Sequence, residues 1–150
     1  MIFNDYLKEN EDNIIDIYFD MDGVFAEYQI GNFDYSKIRP IKSVIKVMND
    51  LIDKGINVKV LSICKTNKIR EDKYVWIDKY TPFLDRDNLI LISKEEYPNF
   101  KSEELKSNYL KENVIKNHVN ILIDDDSRII WKVVDNNPDV KVFHVSSIIK

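Results

Sequence analysis

A chain of 150 residues, 44% hydrophobic and 32% charged, fits one globular domain with its own core, and its three glycines and four prolines argue against a loop-rich all-β fold. The formal net charge of −4 gives no electrostatic basis for nucleic-acid binding, and no apolar run reaches the length of a membrane span. One cysteine, Cys64, excludes an internal disulfide, and the N-terminus lacks a basic-then-apolar signal pattern, so we expect a cytoplasmic protein.

The first predicted strand ends in two acidic residues. Residues 1–13 are mostly polar and are expected to form an irregular lead-in, and the apolar run 14–19 predicts a buried strand. Asp20 and Asp22 follow the strand, and Gly23 predicts that the backbone turns there. Two acids this close repel each other unless a cation or a proton intervenes, which indicates a metal ion or a raised pKa. The alternative is a solvated turn that closes a hairpin.

Residues 24–39 predict a flap or a small hairpin, because they lack a helical period. Their aromatic side chains are expected to pack against the protein rather than to stack on a base; they are Phe25, Tyr28, Phe33 and Tyr35.

Helices and strands then alternate to the end of the chain. Apolar residues three and four positions apart predict a helix that begins at Pro40 and ends at Gly55. Trp76 and Trp131 lie on apolar stripes of later helices and are expected in the core. The later elements are a strand at 56–63, a helix at 70–80, a strand at 89–92, a helix at 102–117, a strand at 119–123, a helix at 128–134 and a strand at 140–145.

This alternation predicts an α/β fold with a doubly wound, mainly parallel, five-stranded sheet and helices on both faces. Ligand sites in such sheets lie beyond the carboxyl ends of the strands. Asp20, Asp22, Ser62 and the acidic triplet 124–126 all fall at that edge, and Asp126 is expected to cap the helix that follows. Without a repeat or a linker, one domain over 1–150 is expected.

Three strand ends resemble motifs of the haloacid dehalogenase-like (HAD) phosphohydrolases. Asp-Met-Asp-Gly-Val at 20–24 resembles the first motif, Val-Leu-Ser at 60–62 the second, and Ile-Leu-Ile-Asp-Asp at 121–125 the fourth. A narrower resemblance is to the 5′(3′)-deoxyribonucleotidases, which contain a helix similar to residues 71–80. The resemblance implies a HAD-like fold and a Mg²⁺-dependent phosphomonoester hydrolase, with (deoxy)nucleoside monophosphates as candidate substrates.

The same resemblance implies a role for each matched residue. Asp20 would be the nucleophile that forms an aspartyl-phosphate, and Asp22 would protonate the leaving oxygen and then activate water. Ser62 would bind a phosphoryl oxygen. Mg²⁺ would be held by Asp20, by the backbone carbonyl of Asp22 and by Asp125, with Asp124 in support.

The phosphate-binding lysine of the third motif has two candidate positions. Lys106 lies in the helix before the fourth strand, where most of the superfamily has this lysine, and it is favoured. Lys94, directly after the third strand, matches the position in animal deoxyribonucleotidases, and Lys101 comes third. Lys65, just after the second motif, could also reach a phosphate.

The resemblance leaves the substrate open. Residues 23–61 are too few for a full helical cap, so a reduced or absent cap and an open site are predicted. The expected partner is a small-molecule phosphomonoester, and the expected assembly is a monomer or a homodimer. Alternatives are another phosphometabolite, a macromolecular phosphoester, a phosphotransferase, a catalytically idle homologue, or a receiver-type phosphoacceptor domain.

Overall fold

The computed structural model describes residues 2–28, 30–31 and 34–149; Phe33, one of the predicted flap aromatics, lies outside them. Within these ranges the helices are α1 (Ile2–Glu9), α2 (Lys42–Asp53), α3 (Asn67–Tyr80), α4 (Ser102–Asn113) and α5 (Ser127–Asn136). The strands are β1 (Ile15–Phe19), β2 (Asn57–Cys64), β3 (Leu89–Ser93), β4 (Val119–Asp124) and β5 (Val140–His144). No helix in the described part of the chain is both long and apolar enough to cross a membrane.

The five strands form one parallel sheet in the order β3-β2-β1-β4-β5. The chain moves outward from β1 to β3 and then returns to place β4 on the free side of β1. The strand order therefore reverses between β1 and β4, where Phe19 pairs with Ile123. A crevice at such a reversal is the expected place for a ligand in this class of sheet. The predicted doubly wound α/β fold is confirmed.

Side chains alternate between the two faces of the sheet, and this alternation decides which helix meets which residue. Odd-numbered residues of β1, such as Ile17, pack in the core that contains residues of α1, α2 and α3. Tyr18 points to the other face and packs with residues of α4 and α5. The residues that follow the last apolar positions of β1 and β4 continue the same alternation of side chains between the two faces of the sheet.

The N-terminal segment corrects one prediction. Residues 1–13 were expected to be irregular, but α1 occupies Ile2–Glu9. Phe3 and Leu7 lie one turn apart and are buried, and the ring of Phe3 meets Phe143 of β5 edge-on at 5.3 Å between centroids. Two buried residues in a polar segment are too weak a pattern to predict a helix, because its stability comes from packing on β5.

Pro40 also lies differently from the prediction. Helix α2 begins at Lys42 after the N-cap Ile41, so Pro40 precedes the helix instead of opening it. It forms an antiparallel bridge with Ala26, in which the N–H of Ile41 donates to the carbonyl of Phe25 at 2.8 Å. Pro40 is tolerated there because the bridge does not use its missing N–H. Gly55 follows the C-cap with φ of 83°, as the predicted helix end requires.

The segment predicted as a flap is packed against the protein over much of its described length. Phe25 is fully buried, and Tyr35 and Ile38 are buried as well. The indole Nε1 of Trp76 in α3 donates to the carbonyl of Ile38 at 2.9 Å. Trp76 is therefore a core residue, as predicted, whereas the same prediction for Trp131 is wrong because 68% of that residue is exposed.

Candidate active site

The carboxyl ends of β1, β2 and β4 surround an open cleft of about 550 Å³. Its lining includes predicted site residues from five separate parts of the chain: Asp20, Asp22, Lys65, Lys94, Lys106 and Asp125. Ser62 and Asp124 are buried beside them, at 1% and 0% exposure. The solvated hairpin turn considered for the first motif is therefore wrong, because Asp20 follows a central parallel strand and only 8% of it is exposed.

Three carboxylates meet at the point where the strand order reverses. One oxygen from each of Asp20, Asp124 and Asp125 lies within 4.8 Å of the others. The backbone fixes Asp124, whose Oδ1 accepts from the N–H groups of Asp125 at 2.8 Å and Asp126 at 3.1 Å. The backbone N–H of Asp20 donates to the carbonyl of Ile123 at 2.9 Å, which extends the β1–β4 pairing to the acidic residues.

Lys106 enters this cluster from α4 and is completely buried. Its Nζ donates to Asp20 Oδ1 at 2.9 Å and to Asp124 Oδ2 at 2.8 Å. Both acids follow the alternation of Tyr18 and Leu122 toward the face of the sheet that α4 covers. Although burial opposes the charged form, Asp20 and Asp124 raise the pKa of Lys106 above its ordinary value, so the ammonium form is favoured.

One ammonium does not balance three carboxylates. Burial raises the pKa of Asp20, and the charges of Asp124 and Asp22 raise it further, against the opposing effect of Lys106. Burial, and then Asp124, raise the pKa of Asp125 as well. The charged forms of these acids are therefore disfavoured together, and either a proton or a bound cation relieves the repulsion between them. The donors of the cluster are carboxylate oxygens alone, the set that Mg²⁺ prefers, so Asp20, Asp124 and Asp125 fit a magnesium ion.

Gly23 makes room for this cluster. Its φ of 79° lies in the left-handed region, which confirms the turn predicted after the second acid. A Cβ atom at this position would also overlap the carboxylate of Asp125. Glycine is therefore favoured by the backbone of the first motif, and any larger residue there would displace the Asp125 carboxylate from the cluster.

A second buried lysine serves the other half of the site. Lys73 of α3 is 1% exposed, and its Nζ donates to Asp22 Oδ2 at 2.7 Å, to Ser62 Oγ at 2.9 Å and to the Ile63 carbonyl at 3.2 Å. The hydroxyl of Tyr35 donates to the other oxygen of Asp22 at 2.8 Å. Sequence reasoning gave Lys73 no role and treated Tyr35 as a packing residue. The available signal was the position of Lys73 on the buried stripe that contains Trp76 and Ile77.

The other predicted residues are placed less centrally. Lys65 and Lys94 line the cleft, whereas Lys106 contacts Asp20 itself. Lys101 is the N-cap of α4. Asp126 caps α5 as predicted, since its Oδ1 accepts from the backbone N–H of Arg128 at 2.9 Å.

Comparisons with known proteins identify the fold. No family model matches the chain, and no curated protein matches it. A chain of the Pnkp1/Rnl/Hen1 RNA repair complex is similar in structure, with a TM-score of 0.63 and 19% identity over 89% of this chain and 42% of that one. The HAD domain of the effector Lem4 from Legionella pneumophila has a TM-score of 0.54 and 11% identity over 87% of this chain and 84% of that one.

The N-terminal part of protein BF1531 from Bacteroides fragilis, which contains a phosphatase domain and was crystallised with Mg, has a TM-score of 0.57 and 15% identity over 95% of this chain and 39% of that one. This chain thus spans less than half the length of the RNA repair and Bacteroides chains. At these identities the likeness shows the fold, which is that of a HAD domain.

Proposed function

We propose that this HAD-like chain is a Mg²⁺-dependent phosphomonoester hydrolase that works through an aspartyl-phosphate on Asp20. One observation supports this most directly: Asp20, at the end of the central strand, is bound by the buried ammonium of Lys106 and grouped with Asp124 and Asp125. The proposed carboxylate nucleophile and the proposed metal ligands thus lie together with a buried ammonium beside an open cleft.

In the first step a carboxylate oxygen of Asp20 attacks phosphorus, and the bond from phosphorus to the leaving oxygen breaks. Asp22 enters this step with a proton on one carboxyl oxygen and gives it to the leaving oxygen, and the second step returns a proton to Asp22. The charge on the phosphoryl oxygens is stabilised by the Lys106 ammonium and by a hydrogen bond from Ser62. Bound Mg²⁺ would reduce the repulsion between the Asp20 carboxylate and the anionic substrate.

In the second step water attacks the phosphorus of the aspartyl-phosphate. Asp22, now a carboxylate, takes a proton from this water, and the bond between phosphorus and Asp20 breaks. Inorganic phosphate and the free Asp20 carboxylate result. The two steps require the same residue as acid and then as base, which is consistent with the position of Asp22 at the cleft, where 26% of its side chain is exposed.

The open cleft bears on the choice of substrate. Tyr28 was expected to pack against the protein, but 67% of the residue is exposed, and it borders the cleft together with Lys65 and Lys94. An exposed aromatic ring and two lysines suit a nucleoside monophosphate, which offers a base and an anionic group. The same open geometry also admits another phosphometabolite or a phosphorylated macromolecule. A receiver-type domain fits less well, because Ser93 rather than an aspartate ends β3.

A phosphatase screen tests the proposal. The purified chain with Mg²⁺ is incubated with nucleoside monophosphates, sugar phosphates, phosphopeptides and p-nitrophenyl phosphate, and released inorganic phosphate is measured. We expect release with at least one class, and loss of that release when EDTA removes the metal. Absence of release from every substrate class would contradict the proposed function.

Mg²⁺ should also stabilise the folded chain, because the ion binds three crowded carboxylates that are dispersed in the unfolded state. At a hundredfold excess over the dissociation constant the gain is about 2.7 kcal/mol, or a rise in Tm of about 5 to 10 °C. Thermal unfolding with and without Mg²⁺ measures this shift.

Two aspartate variants test whether the stabilisation comes from Mg²⁺ bound at the carboxylate cluster. Asp125→Asn should lose most of the shift, whereas Asp139→Asn, an exposed position before β5, should keep it. Equal shifts in both variants would mean that Mg²⁺ stabilises the chain without occupying the cluster.

A further inference from the structure

Lys73 has the environment of a functional residue, although the predicted catalytic steps do not use it. All three hydrogens of its ammonium are donated, to Asp22, Ser62 and the carbonyl of Ile63. Two of these three acceptors belong to the proposed phosphoryl-transfer machinery. We propose that Lys73 and Tyr35 are positioning residues that fix the Asp22 carboxylate and the Ser62 hydroxyl for phosphoryl transfer, an inference that rests on the proposed function.

The contact with Ser62 determines where the serine hydrogen can point. Ser62 Oγ accepts a hydrogen bond from Lys73 at 2.9 Å. Its own hydrogen must then be donated elsewhere, because an ammonium offers no acceptor. Lys73 therefore leaves the hydroxyl hydrogen available for a phosphoryl oxygen and holds the oxygen atom in place. Without the ammonium, the Ser62 oxygen loses the one side-chain donor that fixes its position in the described structure.

The contacts with Asp22 fix both oxygens of its carboxylate. Lys73 binds Oδ2 at 2.7 Å, and the Tyr35 hydroxyl binds Oδ1 at 2.8 Å. Two donors from different directions restrict rotation of the Asp22 carboxylate, which belongs to a residue just before the turn at Gly23 and outside β1. An acid and base that acts on opposite partners in successive steps benefits from a fixed orientation, because misplacement by about 1 Å can cost about a hundredfold in rate.

The two donors come from separate elements that are tied to each other. Tyr35 lies in the segment between β1 and α2, and Lys73 lies in α3. Trp76, one turn after Lys73, holds the same segment through its hydrogen bond to the Ile38 carbonyl. The Lys73 ammonium also lies 5.8 Å from the centroid of the Tyr35 ring. Helix α3 and the segment before α2 thus form one support for Asp22.

The different partners of Lys106 and Lys73 explain why the site contains two buried lysines. Lys106 reaches the rim from the α4 face of the sheet and binds Asp20 and Asp124. Lys73 reaches it from the α3 face and binds Asp22 and Ser62. Each ammonium serves different acids, so neither lysine can replace the other.

The test compares Lys73→Met and Tyr35→Phe with Lys79→Met, which makes the same change at an exposed position of α3. Steady-state kinetics are measured with p-nitrophenyl phosphate, whose leaving group needs little protonation, and with an alkyl phosphate, whose leaving group needs much. We expect Lys73→Met to lower kcat about a hundredfold on the alkyl phosphate and about tenfold on p-nitrophenyl phosphate, with KM changed less than about threefold. Tyr35→Phe should also lose more kcat on the alkyl phosphate than on p-nitrophenyl phosphate, with a smaller loss on each. Lys79→Met should behave as the wild type.

The leaving-group difference separates positioning from loss of structure, because a partly unfolded enzyme loses activity equally on both substrates. Thermal unfolding of each variant is recorded beside the kinetics. If Lys73→Met does not fold, Tyr35→Phe decides, since it removes one hydroxyl and keeps the buried ring. Equal losses on the two substrates, or wild-type kinetics in the folded variants, overturn the positioning role. A wild type inactive on every substrate overturns the proposed function instead.

Discussion

Asp20→Asn is expected to reduce phosphatase turnover at least about a thousandfold, because an amide cannot act as the nucleophile that forms the acyl-phosphate. The shape of the side chain is kept, and the amide oxygen can still accept the hydrogen bond that Lys106 now donates to Asp20 at 2.9 Å. The loss should therefore fall on kcat and not on folding. Initial rates of phosphate release with the best substrate of the screen measure it.

The same variant should be more stable than the wild type when Mg²⁺ is removed. Burial and neighbouring acids raise the pKa of Asp20, which means that the folded protein disfavours its charged form. A neutral amide removes this conflict, so Tm in EDTA should rise while activity disappears, a stability gain often found when active-site groups are neutralised.

A matched control and a covalent probe complete the test. Asp78→Asn, at an exposed position of α3, should keep both activity and stability. A crystal soaked with beryllium fluoride and Mg²⁺ should show the fluoroberyllate on Asp20. An adduct on another aspartate, or an Asp20→Asn enzyme as fast as the wild type, would show that the nucleophile is assigned wrongly.

Much of the site could be predicted from the sequence because of how parallel sheets are built. Central strands such as β1 and β4 are buried on both faces and appear as apolar runs, so the acids after Phe19 and Ile123 mark where each strand ends. Parallel strands end at the same edge, which brings distant motifs together without knowledge of any contact. The structure places Asp20, Asp124 and Asp125 together in this way.

Lys73, Tyr35 and α1 were not predicted, and the reason is the same for all of them. Lysines are usually solvated, and only the packing of α3 against the sheet turns Lys73 toward Asp22. The ring of Tyr35 is buried, as that of a packing residue would be. The hydrogen bond from its hydroxyl to Asp22 depends on how the segment before α2 folds back. Helix α1 is stabilised by its contact with Phe143 of the last strand. Each feature depends on tertiary contacts that local sequence patterns do not contain.

Lys106→Ala is expected to lower both turnover and stability. It removes the positive charge beside the nucleophile, for which we expect a loss in kcat of about a thousandfold. It also leaves Asp124, which is 0% exposed, without the ammonium that now binds Oδ2 at 2.8 Å. Removing one partner of a buried ion pair costs about 3 to 5 kcal/mol in the free energy of unfolding. Kinetics and chemical denaturation measure the two effects.

The losses of turnover and of stability in Lys106→Ala can be separated, because Mg²⁺ should restore only stability. A bound divalent cation compensates the uncovered acids, so saturating Mg²⁺ should restore part of the unfolding free energy of Lys106→Ala. It should not restore turnover, since the ion does not replace an ammonium that contacts Asp20 from the α4 side. Lys94→Ala is the matched comparison, and its loss should stay below about tenfold because Lys94 only lines the cleft. A large loss in Lys94→Ala together with an active Lys106→Ala would assign the phosphate-binding role to Lys94, and Lys106 would then be a structural counter-ion for Asp20 and Asp124.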